Sequence, residues 1–247
     1  MNVLDDLAAG SGAVNVAGVT FNAGTLRATV IAAVVVVGLG VWVRCRITAG
    51  RPGRLQLAWE AVVGGLDQRV SDSTGRPRAL VVPLAVALFA FILVANLLRV
   101  VPGTSGFLPN ATADLNLTVA LTVVVLVVTH VAAIRARGAT GYLRHYLEPY
   151  WWLAPINVLT EMVRPVTLAL RLFGTAFAGG LGVALIGELI PPAVAPLPHA
   201  VWALFDLAIG VMQAVIFALL AVLYYESAVG SPALPATTVA RRKEVPL

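Results

Sequence analysis

Apolar positions in this chain come in long unbroken runs, not in the stripes of surface helices or the alternation of half-buried strands. The segment 26–43, clearest from Ala28 to Val43, is bounded by Arg27 and Arg44, whose stems can snorkel to a membrane surface. It is just long enough to span. Further runs occupy 79–98 and 117–134, separated by Arg99 to Asn116 with Pro102, Gly103, Gly106 and Pro109 as breakers. Two longer runs cover 153–190 and 200–227, with Pro191, Pro192, Pro196 and Pro198 between them. Residues 1–24 read as a polar, Gly-rich external leader, and 228–247 as a polar tail. Within the basic loop 44–78, Leu55, Leu57, Trp59, Val62, Val63 and Leu66 predict a short amphipathic helix on the membrane surface.

Thirty-odd helical residues reach about 50 Å at 1.5 Å each, well beyond a hydrocarbon core of about 30 Å. The last two helices must therefore tilt strongly, break, or lie partly along the membrane plane. The expected fold is an all-α integral membrane protein forming one membrane domain over 1–247. It has five to six membrane helices and one amphipathic surface helix.

Composition agrees: 59% of the 247 residues are hydrophobic and 12% charged, against about 25% charged in globular domains. Lys243 is the sole lysine, so the net charge of +5 is not a nucleic-acid signal. Its placement matters more. Seven arginines lie in 44–78, three in 135–148, and Arg241, Arg242 and Lys243 in the tail, while the other side has Arg27 and Arg99. The positive-inside rule puts the basic segments and the C-terminus in the cytoplasm and the N-terminus outside. Asp5 and Asp6 stand where a cleavable signal would be positive. The lone Cys45 excludes internal disulfides and reads as a buried structural thiol.

Glu161, Arg164, Arg171 and Asp206 are the charges inside the last two apolar runs, with Glu188 near the outer end. A guanidinium stays charged at any ordinary pH and costs about 2.5–3.5 kcal/mol at mid-bilayer on insertion scales, so such residues mark ion paths more often than they serve structure. The plain alternative is a structural pair, Arg171 with Asp206 or Arg164 with Glu161. At 3.6 residues per turn Arg164 and Arg171 share a face, with Thr175, Ala178 and Gly182 close to the same stripe. Asp206, Gly210 and Gln213 share another at i, i+4 and i+7. Gln213 can both donate and accept. His130 reads as a packing residue, and Tyr150, Trp151 and Trp152 as an interfacial belt.

The run Arg164-Pro165-Val166-Thr167-Leu168-Ala169-Leu170-Arg171-Leu172-Phe173-Gly174 resembles the signature of subunit a of the F-type ATP synthase. Phe91 to Leu98 followed by Pro102-Gly103, Thr112 to Thr118, Gly141-Tyr142-Leu143, Pro155-Ile156-Asn157 and Gln213 to Phe217 resemble that family's other blocks, in order and over nearly the whole chain. The resemblance implies a proton-translocating stator subunit with two offset half-channels, its last two helices tilted against a rotating ring of subunit c. The family's essential arginine maps onto Arg171, which would attract a ring carboxylate in its ionised form and block a direct leak. Implied partners are the subunit c ring, the subunit b stator stalk, the whole ATP synthase, lipids and protons, in a bacterial plasma membrane. No cofactor is implied, and ATP chemistry would belong to partner chains.

Three positions depart from the family pattern: Thr175 where Asn is common, Gly180 where Glu is common, and Arg99 where Gly is common. Asp206, where some members carry His, would supply the carboxylate missing at Gly180. On this reading Asp206 is the outer half-channel relay, helped by Glu188, His199 and Asp114, with Gln213, Thr175, Asn96 and Asn116 along the path. Its alternative is a simple pairing with a neighbouring arginine. Arg99 is expected to anchor a helix end in the outer headgroups. Glu161 could receive the departing proton, with His145 and Glu148 near the exit. From another class, a small secondary transporter could use Arg171 to hold an anionic substrate, but it would show repeat symmetry and broken helices. A purely structural assembly factor would have little use for the buried charges.

Overall fold

The computed structural model describes residues 13–16, 19–46, 53, 56–57, 59–61, 63–65, 68, 81–100, 111–147 and 150–229. Five helices in it are long and apolar enough to cross a membrane, so the chain is a multi-pass, essentially all-α membrane protein. They are α1 (Ala23–Arg46), α2 (Val81–Val100), α3 (Leu115–Leu147), α4 (Ala154–Leu189) and α5 (Pro196–Val229). Part of the expected leader forms an antiparallel hairpin of β1 (Ala13–Val16) and β2 (Val19–Asn22), with Ala13 opposite Asn22 and Val16 opposite Val19. Val14, Val16, Val19, Thr20 and Phe21 are the β-branched and aromatic types that strands favour.

The core lies where α2, α3, α4 and α5 meet. Leu88 and Ile92 of α2, Val125 of α3, Leu168 and Leu172 of α4, and Ala214, Phe217 and Ala221 of α5 form one buried cluster. A second cluster joins Val81, Val82, Ala85 and Val86 to Ala218, Val222, Tyr225 and Val229. Ala85, Ala214, Ala218 and Ala221 lie among the larger side chains of these clusters, and small residues let membrane helices approach closely. α1 stands at the edge, seated through Ala32 against Val94 and Ala95. Its opposite side, Val30, Val34, Val37 and Val41, is exposed.

Two segments differ from expectation. The basic stretch after 134 is not a loop: α3 continues to Leu147 across a kink at Gly138, whose φ of 75° and ψ of 162° lie outside helical space. A positive φ there favours glycine. The kink brings Tyr142 edge-on to His130 at 5.8 Å, and His130 Nδ1 lies 2.8 Å from the Leu126 carbonyl, so His130 packs as expected. Before α5, Pro196 and Pro198 lie inside the first helical turn, where a missing N–H breaks no intrahelical bond.

Neither long helix breaks. α4 runs 36 residues, about 54 Å, through Pro165. Pro165 removes one bond to the Glu161 carbonyl without ending the helix. Tilt must therefore absorb the excess length. Of the predicted amphipathic helix, residues 56–57, 59–61, 63–65 and 68 are helical, and Trp59 and Val63, one turn apart, pack against the second cluster. The rest of that segment, with 1–12, 69–80, 101–110, Glu148 and 230–247, lies outside the described residues.

Candidate functional site

α4 and α5 are antiparallel neighbours joined by a tight turn in which Val194 and Ala195 donate to the Pro191 carbonyl at 3.0 and 3.1 Å. Glycines on α4 set how closely they meet. The ring of Trp202 occupies the space where a Cβ on Gly182 would stand, and its Nε1 donates to the Gly179 carbonyl at 3.0 Å. The carboxylate of Asp206 fills the corresponding space at Gly179. Further out, His199 Nε2 lies 3.2 Å from the Val183 carbonyl.

Asp206 is buried and ion-paired: Arg99 Nη2 reaches its Oδ2 at 2.5 Å. Arg99 is not the freely exposed helix-end anchor expected, because its side chain is only 12% exposed and is held by Asp206. It extends from the last turn of α2 into the seam between α4 and α5, where Nη1 also donates to the Ala176 carbonyl at 3.3 Å. One turn back along α2, Asn96 Nδ2 donates to the Gly210 carbonyl at 3.2 Å, and Thr112 Oγ1 donates to Asn96 Oδ1 at 3.3 Å. A Cβ on Gly210 would lie 3.0 Å from the Asn96 side chain, so the α2–α5 contact is as close as glycine allows.

The face of α5 predicted from spacing is the buried one: Asp206, Gly210 and Gln213 all point inward. Gln213 is 3% exposed, and its Nε2 has no acceptor among the described residues. Gln213 lies seven residues past Asp206, about 10 Å along α5. Arg171 lies eight residues before Gly179, about 12 Å along the antiparallel α4. Gln213 thus comes to the height of Arg171.

Arg171 faces the other way. It is exposed, and its guanidinium has no ion-pair partner among the described residues. Leu170 beside it and Phe177 and Leu181 further along α4 are also exposed. Thr175, on the same side, donates its hydroxyl to the Arg171 and Leu172 carbonyls, both at 3.0 Å. Arg164 instead turns toward α5, with Nη1 donating to Glu161 Oε2 at 3.0 Å and Ser227 Oγ at 3.1 Å and its charge 5.8 Å from the Tyr224 ring centre. Glu161, Arg164, Thr122, Thr129 and Tyr224 help line a cavity of about 10 Å³, roughly the room of one water.

Other predicted positions lie apart. Asp114 caps α3, accepting the Asn116 N–H at 2.9 Å, and Asn116 itself is exposed. Glu188 is exposed near the end of α4. The His145 side chain lies outside the described residues. Tyr150, Trp151 and Trp152 are exposed, as an interfacial belt requires. Cys45 is exposed rather than buried, at the last turn of α1. Sequence reasoning missed Arg99 and Trp202 as site residues. Arg99 stands three residues after Asn96, so it shares Asn96's inward face, and that spacing was the available signal.

The pattern of the family described as ATP synthase A chain matches residues 26–226. The chain is 46% identical over 210 residues to an ATP synthase subunit a of Acidothermus cellulolyticus, covering 84% of this chain and 77% of that one. It is 41% identical over 222 residues to an ATP synthase subunit a of Mycobacterium tuberculosis, covering 85% and 88%. An ATP synthase subunit a of Geobacter sulfurreducens is 36% identical over 179 residues, with 71% and 74% covered. With the five spanning helices and the ordered motifs, these matches establish that the chain belongs to the ATP synthase A chain family.

Proposed function

We propose that this chain is the proton-translocating stator subunit of a rotary F-type ATP synthase, with Arg171 facing a subunit c ring. The carrying observation is the separation of charges across α4: Arg171 is exposed and has no ion-pair partner among the described residues on one side, while Asp206 and Gln213 are buried behind it. A guanidinium is not stably left in hydrocarbon without a partner. A carboxylate on a passing ring helix is the partner that reading supplies. The outer half-channel descends from Glu188 and His199 through Asp206 to the amide of Gln213. The inner one begins at the cavity beside Glu161 and Arg164, seven residues or about 10 Å from Arg171 toward the cytoplasm. Subunit b and the whole complex are the remaining partners, and ATP chemistry resides in other subunits. The transporter alternative needs a pocket at broken helices, whereas α4 and α5 are continuous.

The test is ATP-driven proton pumping in inverted membrane vesicles, with assembly checked by co-purification of subunit c. Arg171→Ala and Asp206→Asn should each assemble and lose pumping at least about a hundredfold, the scale of removing an essential proton-transfer group. Arg171→Ala should also raise passive proton leak. Normal pumping by Arg171→Ala would overturn the assignment, and normal pumping by Asp206→Asn would overturn the relay.

A further inference from the structure

We propose that Arg99 is the positioning counter-ion of Asp206, holding Oδ2 so that proton exchange takes place at Oδ1. This rests on the reading of Asp206 as the outer relay. Three observations on three helices carry it. Arg99, from α2, is nearly buried and places Nη2 on Oδ2 at 2.5 Å. Its Nη1 is tied to the Ala176 carbonyl of α4 at 3.3 Å, so the guanidinium is braced from a second side. Oδ1, the other oxygen, lies over Gly179, in space that a side chain there would fill. Both oxygens thus lie against Gly179, Oδ1 the nearer, while Oδ2 carries the bond to Arg99.

The arrangement addresses a difficulty any buried relay faces. A lone carboxylate away from water is strongly unfavourable, yet a relay must be ionised for part of each cycle. With Arg99 beside it the ionised form belongs to a neutral pair. A proton from the outer aqueous side bonds to Oδ1, and the water that carried it keeps the electron pair. The carboxyl is then neutral, and Arg99 retains its charge and its bond to Ala176. Passing the proton onward breaks the Oδ1–H bond and restores the pair. The net charge runs from zero to plus one and back, and no unpaired negative charge is buried. Among the described residues no other cation pairs with Asp206; Arg171 lies about 12 Å along α4 from Gly179, on its exposed side.

The experiment compares Arg99→Lys, Arg99→Met and Asp206→Asn in the assembled complex, reading proton pumping in inverted vesicles against pH on the outer side. Met keeps the length of the stem and removes the charge. Arg99→Met should pump at least about tenfold more slowly, with a displaced pH profile. Arg99→Lys should keep about a third or more of the rate with the parent profile, since the charge and a donor nitrogen remain. A purely packing role predicts the reverse order. Parent rate and profile in Arg99→Met, alongside an inactive Asp206→Asn, would overturn the role of Arg99 and leave the relay standing. Normal pumping by Asp206→Asn would remove the relay itself. Should Arg99→Met fail to assemble, the double variant Arg99→Met/Asp206→Asn decides: recovered assembly supports the pairing, and continued failure refutes it.

Discussion

Gly179 has no side chain, and the Asp206 carboxylate takes up the space one would need. An added Cβ would lie 2.6 Å from Asp206 Cγ and 3.0 Å from Oδ2, and nearer still to Oδ1. A free aspartate could swing aside, but this one is held by Arg99. Gly179→Ala should therefore weaken the ion pair, destabilising the helix contact by about 1–3 kcal/mol as overpacking does. Proton pumping should fall while subunit c still co-purifies; unchanged pumping would mean that the carboxylate relaxes freely. The inward face of Asp206, Gly210 and Gln213 was legible in spacing alone, because the helical period fixes which residues share a side. Arg99 was not legible as a partner. A lone arginine ending an apolar run has the same pattern as Arg27 and Arg44, and only the approach of α5 distinguishes a buried counter-ion from a snorkelling anchor. Cys45 failed for a related reason: burial depends on neighbours, and α1 stands at the edge of the bundle.

Helices were more legible than single contacts, since a long apolar run in a membrane protein has few alternatives to spanning. Their ends were less so. Hydropathy falls after Ile134, yet α3 continues for more than three turns because polar side chains are no obstacle to helix outside the bilayer. Prolines at 196 and 198 suggested a linker but begin α5 instead, for in a first turn they cost no hydrogen bond. The hairpin at 13–22 escaped notice because each strand is only four residues long. Gly138 is the element-scale determinant most open to test. At φ 75° and ψ 162° an L side chain is strained by roughly 1–3 kcal/mol, although nothing lies within 4 Å of a Cβ there. Gly138→Ala should lower the thermal midpoint of the purified complex by a few degrees and loosen the His130–Tyr142 contact. An unchanged midpoint would show that the kink carries no strain.

At the scale of the molecule, charge is sorted by side as well as by depth. Asp206, Arg99, Asn96 and Gln213 sit where α2, α4 and α5 converge, whereas Arg171, mid-way along α4, turns outward with no ion-pair partner among the described residues. The proposed stator role needs that division, with Asp206 sheltered and Arg171 presented. The family motifs made the arginine recognisable, but no motif specifies which way α4 presents it, because presentation depends on how tightly glycines let α5 close behind. The proposed direction of proton flow follows from the orientation read in the distribution of arginines. The chain carries its own probe. Cys45 is the lone cysteine, it is exposed, and it stands at the end of α1 that leads into the basic segment 44–78. If that segment is cytoplasmic, a membrane-impermeant maleimide should label Cys45 in inverted vesicles and leave it unmodified in right-side-out spheroplasts until detergent is added. Labelling in intact spheroplasts instead would reverse the orientation, and with it the roles of outer and inner half-channel. Asp206 would then stand on the path by which a proton leaves for the cytoplasm rather than the path by which it enters from outside.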